Sequence, residues 1–286
     1  MLFTLLFCTT TIALNPISLQ PMYSPFQLAK KYLRYYITSS NGKGHGIHSP
    51  FVFDFIIQVL NDDRGFYPYK KIERLRNNLK TDTTVLEVED YGAGSVVSKT
   101  KRRTISEIAK SALKPKKFGQ LMFRMVDFYS PKIILELGTS LGITTAYLAS
   151  ANSKTNVVTM EGAKSIAEVA ANNLVSLGLE NVSLVLGNFD ETLAPTLAKI
   201  RTIDFAFVDG NHRKEPTLIY FEELIKYSHD HTILIFDDIH WSEEMEAAWE
   251  TIKADKRVKL TIDLFFIGLV FFRKDFMEKQ DFVIRF

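Results

Sequence analysis

From Ile133 onwards the chain alternates between short apolar runs and longer amphipathic ones. "KIILELG" is continuously apolar, as a strand buried on both faces of a parallel sheet must be. It leads into the helical spacing of "TTAYLASA", the strand-like "NVVTMEG" and the helical "SIAEVAANNLVSLG", which ends with Gly178 in C-cap position. The alternation continues through "VSLVLGN", "ETLAPTLAKI", "IDFAFVDG", "EPTLIYFEELIKY", "HTILIFDD" and "SEEMEAAWETIKA". Ser242 is placed to cap the last of these helices, with Glu243 and Glu244 facing the positive end of its dipole. "VKLTIDLF" and "IGLVFF" then read as an antiparallel closing pair. Strands alternating with helices at this spacing predict an α/β fold with a doubly wound, Rossmann-like sheet.

Upstream the period is different. "PFQLAKKYLRYYI" puts Phe26, Leu28, Ala29, Tyr32, Leu33 and Tyr36 on a broad apolar stripe at helical spacing. "NGKGHGIHSP" interrupts it, "FVFDFIIQVL" resumes as a very apolar segment, and "KIERLRNNLK" reads as a further helix. A strand-like "TVLEVED" runs into "YGAGS". Between Lys99 and Lys117 stand eight Lys or Arg and one acid, Glu107, which reads as a solvated loop and helix face or as a landing strip for an anionic substrate. The organisation expected is an apolar segment over 1–21, a helical extension or cap over 22–104, and a ligand-binding domain over 105–286. "MLFTLLFCTTTIAL" has the length of a signal-peptide core, but no basic residue precedes it. Met22 is an alternative start, and from there the chain reads as cytoplasmic, with no stable membrane span expected.

Composition changes this picture little. A net charge of +2 gives no ground for expecting a nucleic-acid partner. One cysteine, Cys8, excludes an internal disulfide and a cysteine-based zinc site. Oligomeric state is open, a homo-oligomer included.

The chemistry turns on "LELGTSLGITTAYL". Gly138 to Gly142 match G-x-S-x-G, the elbow that lifts a nucleophilic serine above a hydrolase sheet, with Asp209 and His212 or His240 following in Ser…Asp…His order. Read from Glu136, the same residues give E-x-G-x-x-x-G, a glycine turn that brings backbone N–H groups and a helix N-terminus to a nucleotide. The second reading explains more. Glu161 ends the next strand, 25 residues after Glu136, where an acid can accept both ribose hydroxyls. The glycine spacing differs from G-x-G-x-x-G, so a nucleoside without phosphates fits better than a dinucleotide.

Glu136-Leu137-Gly138, Glu161, "GNFD" after the third strand, "FVDGNH" after the fourth and "FDDIHW" after the fifth together resemble the class I S-adenosylmethionine-dependent methyltransferases. More narrowly, they resemble the O-methyltransferase branch that includes catechol and caffeoyl-CoA O-methyltransferases. The resemblance covers about 105–286. It implies a seven-stranded, mostly parallel sheet whose last strand is inserted antiparallel beside the fifth. It also implies S-adenosylmethionine as cofactor, held by Glu136, Gly138, Thr139, Ser140, Gly142, Glu161, Asn188 and Phe189, and a small-molecule methyl acceptor. Asp209, Asp237 and Asp238 lie at adjacent strand ends, where hard oxygen ligands suit Mg²⁺. The resembling enzymes carry Asp-Asn where this chain has Asp237-Asp238. Asp209 and His212 are the candidate catalytic residues, His212 as general base where the metal-dependent family often has lysine. His240 and Trp241 are candidate walls of the acceptor pocket, and His45 and His48 read as loop residues. The competing functions are methylation of RNA or another anionic polymer, a serine hydrolase using Ser140, and cofactor binding without catalysis.

Overall fold

A computed structural model of the protein describes residues 22–90 and 99–286. The apolar segment 1–21 and the run "YGAGSVVS" over 91–98 lie outside the described residues. In chain order the first elements are α1 (Pro25–Thr38), α2 (Pro50–Phe55), which runs on into a π-helical turn (Ile56–Leu60), and α3 (Tyr67–Leu79). Then come β1 (Val85–Asp90), β2 (Lys99–Thr104), α4 (Ile105–Ala112) and α5 (Lys116–Tyr129). The α/β unit follows as β3 (Ile133–Leu137), α6 (Ile143–Ala151), β4 (Asn156–Glu161), α7 (Lys164–Leu177), β5 (Val182–Leu186), α8 (Phe189–Ile200) and β6 (Ile203–Val208). It continues with α9 (Lys214–Ile225), β7 (Ser228–Asp237), α10 (Glu243–Ala254), β8 (Leu260–Asp263), β9 (Ile267–Phe271) and β10 (Gln280–Val283).

The central sheet has strand order β10-β8-β9-β7-β6-β3-β4-β5. The chain winds outward from β3 through β4 to β5, then returns to the other side of β3 for β6 and β7. Between β3 and β6 the strand order reverses, and an open α/β sheet binds ligands at that point. Only β9 runs against the rest, antiparallel to both β7 and β8. The sheet holds eight strands among the described residues, one more than the resemblance implied. The eighth, β10, lies parallel to β8 at the edge, and the chain just after α1 continues it through Ser40 and Ile284.

The continuous apolar runs are explained by burial on both faces. Along β6, Phe205 and Phe207 enter one core layer while Ala206 and Val208 enter the other. Ile134 of β3 joins the first layer, with Leu135 and Leu137 in the second. Phe55, Ile56 and Val59 pack into the first layer, so the N-terminal helices share the sheet's core. Each such large side chain contributes about 1.5–3 kcal/mol when fully buried.

Two N-terminal expectations need correcting. Helix α1 starts with a capping box between Ser24 and Gln27, but its packed face is Leu28, Lys31, Tyr32 and Tyr35, and Phe26 remains 80% exposed. Tyr32 and Tyr35 meet Phe265, and Lys31 reaches Glu246 of α10 at 3.0 Å, so aromatic and ionic contacts turned the helix away from its sequence stripe. The first part of the basic stretch is strand β2, paired antiparallel with β1, not loop or helix.

Candidate active site

The C-terminal ends of β3 to β7 surround a cavity of ≈ 720 Å³, within the usual range for a small-molecule site. Gly138, Ser140, Glu161, Asn188, Phe189, Asp209, His212 and Asp238 all line it, so the structure brings together most of the residues the sequence singled out. Trp241 lines it as well. His240 does not; its ring bonds Glu246 and Asp263 at 3.0 and 2.8 Å and helps dock α1. Burial lowers the His240 pKa, but those two carboxylates outweigh it and the net shift is upward. His45 and His48 are exposed and do not line the cavity.

The glycine turn is dictated by close backbone approach. Gly138 has φ 102°, and a Cβ there would collide with the Asp209 carbonyl oxygen at the end of the neighbouring strand. Gly142, with φ 80°, caps α6 and faces α7 rather than the cavity. Thr139 is buried, its hydroxyl 2.6 Å from that of Thr159. The turn directs one amide at Glu161, and the loop after β4 a second. The Ser140 N–H donates to one carboxylate oxygen at 2.9 Å and the Ala163 N–H to the other at 3.0 Å. A carboxylate offers about four lone-pair sites, so Glu161 keeps acceptor capacity on the cavity wall. Burial raises its pKa, against the pull of those amides.

Glu136 sits behind the turn and does not line the cavity. The hydroxyls of Thr145 and Thr159 donate to its Oε2 at 2.5 and 2.6 Å, while Oε1 is buried without a partner. Burial pushes this carboxyl up to about 7. The Ser140 hydroxyl is likewise buried with no hydrogen-bond partner, and no imidazole contacts it. A nucleophilic serine needs such a base, so the hydrolase reading loses its support.

At the other side, Asn188 caps α8 by accepting from the Asp190 N–H at 3.2 Å. Phe189 meets the edge of Tyr220, and Gly210 leaves room for it, since a Cβ there would lie 2.8 Å from its ring. His212 Nε2 lies 3.4 Å from Asp209 and its Nδ1 3.9 Å from Asp238. Asp237 is 1% exposed. Burial raises the pKa of both Asp209 and Asp237, and a cation opposes the rise: the Lys114 ammonium contacts Asp237 and lies 3.1 Å from Asp238.

Comparison with known proteins agrees with this geometry. A family model described as a methyltransferase domain matches residues 135–239, from the glycine turn to the acidic strand end. That stretch is similar to a methyltransferase domain. O-methyltransferase imqG of Aspergillus flavus is 30% identical over 114 residues, which are 38% of this chain. The match spans 45% of that relative, so the chain aligns with less than half of its length. Among solved structures, the O-methyltransferase from Bacillus cereus in complex with SAH shares the fold with TM-score 0.53 at 18% identity, covering 77% of this chain and 96% of that one. TomG, the O-methyltransferase of Streptomyces achromogenes involved in tomaymycin synthesis and solved with SAM, has TM-score 0.52 at 18% identity, over 78% and 95% of the two chains.

Sequence reasoning missed two residues that shape this site. Lys114 comes from the linker between α4 and α5, and only its place in the basic run marked it. Arg76, on α3, is 4% exposed and donates to the Lys114 carbonyl at 2.6 Å. Its helix position reads in sequence as an ordinary surface arginine.

Proposed function

We propose that the protein transfers a methyl group from S-adenosylmethionine to an oxygen of a small hydroxylated molecule. The observation that carries this reading is Glu161, set on the cavity wall by the amides of Ser140 and Ala163 with acceptor capacity to spare. The cavity fits the cofactor on further grounds. Gly138 and Gly210 keep the backbone at its wall free of side chains, and Ser140 Oγ and Asn211 Oδ1, on lining residues, are buried polar atoms without partners. When bound, the cofactor supplies an electrophilic methyl on a positively charged sulfur.

The residues of the chain then do the positioning. Glu161 accepts the ribose hydroxyls, and Asn188 and Phe189 bound the adenine end. Fixing the acceptor oxygen in line with the methyl supplies much of the rate, since a bimolecular step becomes effectively unimolecular. His212 takes the acceptor's hydroxyl proton, with Asp209 3.4 Å from its Nε2 to orient the ring.

Mg²⁺, which the resemblance implied, meets an unsuitable donor set. Asp209, His212 and Asp237 offer ligand atoms within 4.8 Å of one another. However, the Lys114 ammonium lies on both Asp237 and Asp238, two of the three carboxylates a divalent ion would need. Mg²⁺ demands near-octahedral oxygen ligation and dehydrates reluctantly. The site as built does not fit it, and no step runs through a metal.

The test is to incubate the protein with S-adenosylmethionine and a panel of catechols, phenols and hydroxy acids. S-adenosylhomocysteine and O-methylated product are then measured by mass spectrometry. The reading predicts product from at least one hydroxylated acceptor; methylation confined to RNA would overturn it. No helix among the described residues is long and apolar enough to cross a membrane.

A further inference from the structure

We propose that Lys114 is a built-in cation at the acceptor site: its ammonium occupies the place of a divalent metal and holds the acceptor oxygen for methyl transfer. The inference rests on the methyl-transfer reading above and goes beyond it in naming the residue that binds the reacting oxygen.

The first ground is the count of donors. A lysine ammonium has three N–H groups. One donates to Asp238 at 3.1 Å and the ammonium is also ion-paired with Asp237, which leaves donor capacity for a ligand. The Lys114 side chain is 16% exposed, and the residue lines the cavity together with His212 and Trp241, so that capacity is available on the cavity side.

The second ground is the way the residue is held. Lys114 sits between the end of α4 and the N-cap of α5 at Pro115, and no helix hydrogen bond fixes it there. Its carbonyl instead accepts from buried Arg76 at 2.6 Å. Arg76 is fixed by Glu73 at 2.9 Å, which also accepts from the Tyr147 hydroxyl at 2.7 Å. A chain of buried Tyr147, half-buried Glu73 and buried Arg76 thus sets the backbone of one linker lysine. Placement through a supporting layer is what preorganised electrostatic stabilisation requires.

The step balances without a metal. The acceptor oxygen forms a bond to the methyl carbon while the sulfur–methyl bond breaks and its electron pair stays on sulfur. The hydroxyl proton passes to His212. The Lys114 ammonium donates to the oxygen throughout and keeps its own protons.

The experiment reads cation binding, which does not depend on finding an acceptor. Wild type titrated with Mn²⁺ and followed by electron paramagnetic resonance should bind none below millimolar concentration, and Mg²⁺ should leave its melting temperature unchanged. Lys114→Met should gain one Mn²⁺ site, because the carboxylates are then uncompensated. If that variant fails to fold, Lys114→Gln is read in the same way. With an acceptor from the panel, turnover should survive EDTA in wild type and fall about 100-fold in the variant, while the S-adenosylhomocysteine Kd changes less than twofold. One-to-one Mn²⁺ binding by wild type, loss of its turnover in EDTA, or a variant that gains no site would overturn the proposal. Wild type that methylates no hydroxyl at all would instead overturn the function, and the cation titration would still decide the role of Lys114.

Discussion

Replacing Glu136 by glutamine tests the electrostatics of the site through stability alone. The carboxyl is fully buried, and that burial is the main cause of its rise from an ordinary 4.5 to about 7, against the lowering effect of the Thr145 and Thr159 hydroxyls. Because the folded-state pKa lies above the unfolded one, the associated stability is fully present below about pH 4.5. It is lost as pH rises through about 7. At about 1.36 kcal/mol per pKa unit the loss is about 3 kcal/mol, and full burial leaves no solvent to screen it. Glutamine stays neutral, and its amide oxygen can still accept from both threonines. Glu136→Gln should therefore gain on wild type by most of that amount between about pH 5 and pH 8, measured by urea unfolding at each pH. Parallel stability–pH curves for the two proteins would refute the reasoning.

Two further outcomes follow from the same geometry. Gly138→Ala should cost at least about 2–3 kcal/mol, because a Cβ there meets backbone that cannot move aside and φ stays positive; a melting temperature within a degree of wild type would contradict this. His212→Gln should lower turnover on the best acceptor of the panel by roughly 10²–10⁴, the range for a general base. Calorimetry should show S-adenosylhomocysteine binding to that variant unchanged, and a loss of binding would move His212 out of the acceptor side.

The α/β half was legible because burial on both faces writes itself as continuous apolar strands. Glu161, Asn188, Asp209 and Asp238 were legible for a related reason: each follows a strand end, and the fold delivers those ends to one cavity. The inner members of the motif were harder. Glu136 lies within β3, a strand buried on both faces, and Thr139 stands between cavity-lining Gly138 and Ser140 but turns its hydroxyl inward to Thr159. Strand β2, "KTKRRT", carries no apolar alternation and exists by pairing with β1, so only the tertiary partner reveals it. Strand β10 is four residues long at a sheet edge, too short for a periodic signal. Lys114 was illegible as a site residue because its position depends on the turn between two helices and on Arg76, 38 residues upstream.

The central claim is that the cavity at the β3 and β4 strand ends binds S-adenosylmethionine through Glu161. Calorimetric titration of S-adenosylhomocysteine into wild type and Glu161→Ala at pH 8 tests it most directly. Wild type should bind one equivalent, and the variant should bind about 1.5–3 kcal/mol more weakly, the size of a charge-assisted hydrogen bond, while its melting temperature shows it folded. No binding by wild type, or an equal Kd in a folded Glu161→Ala, would contradict the account.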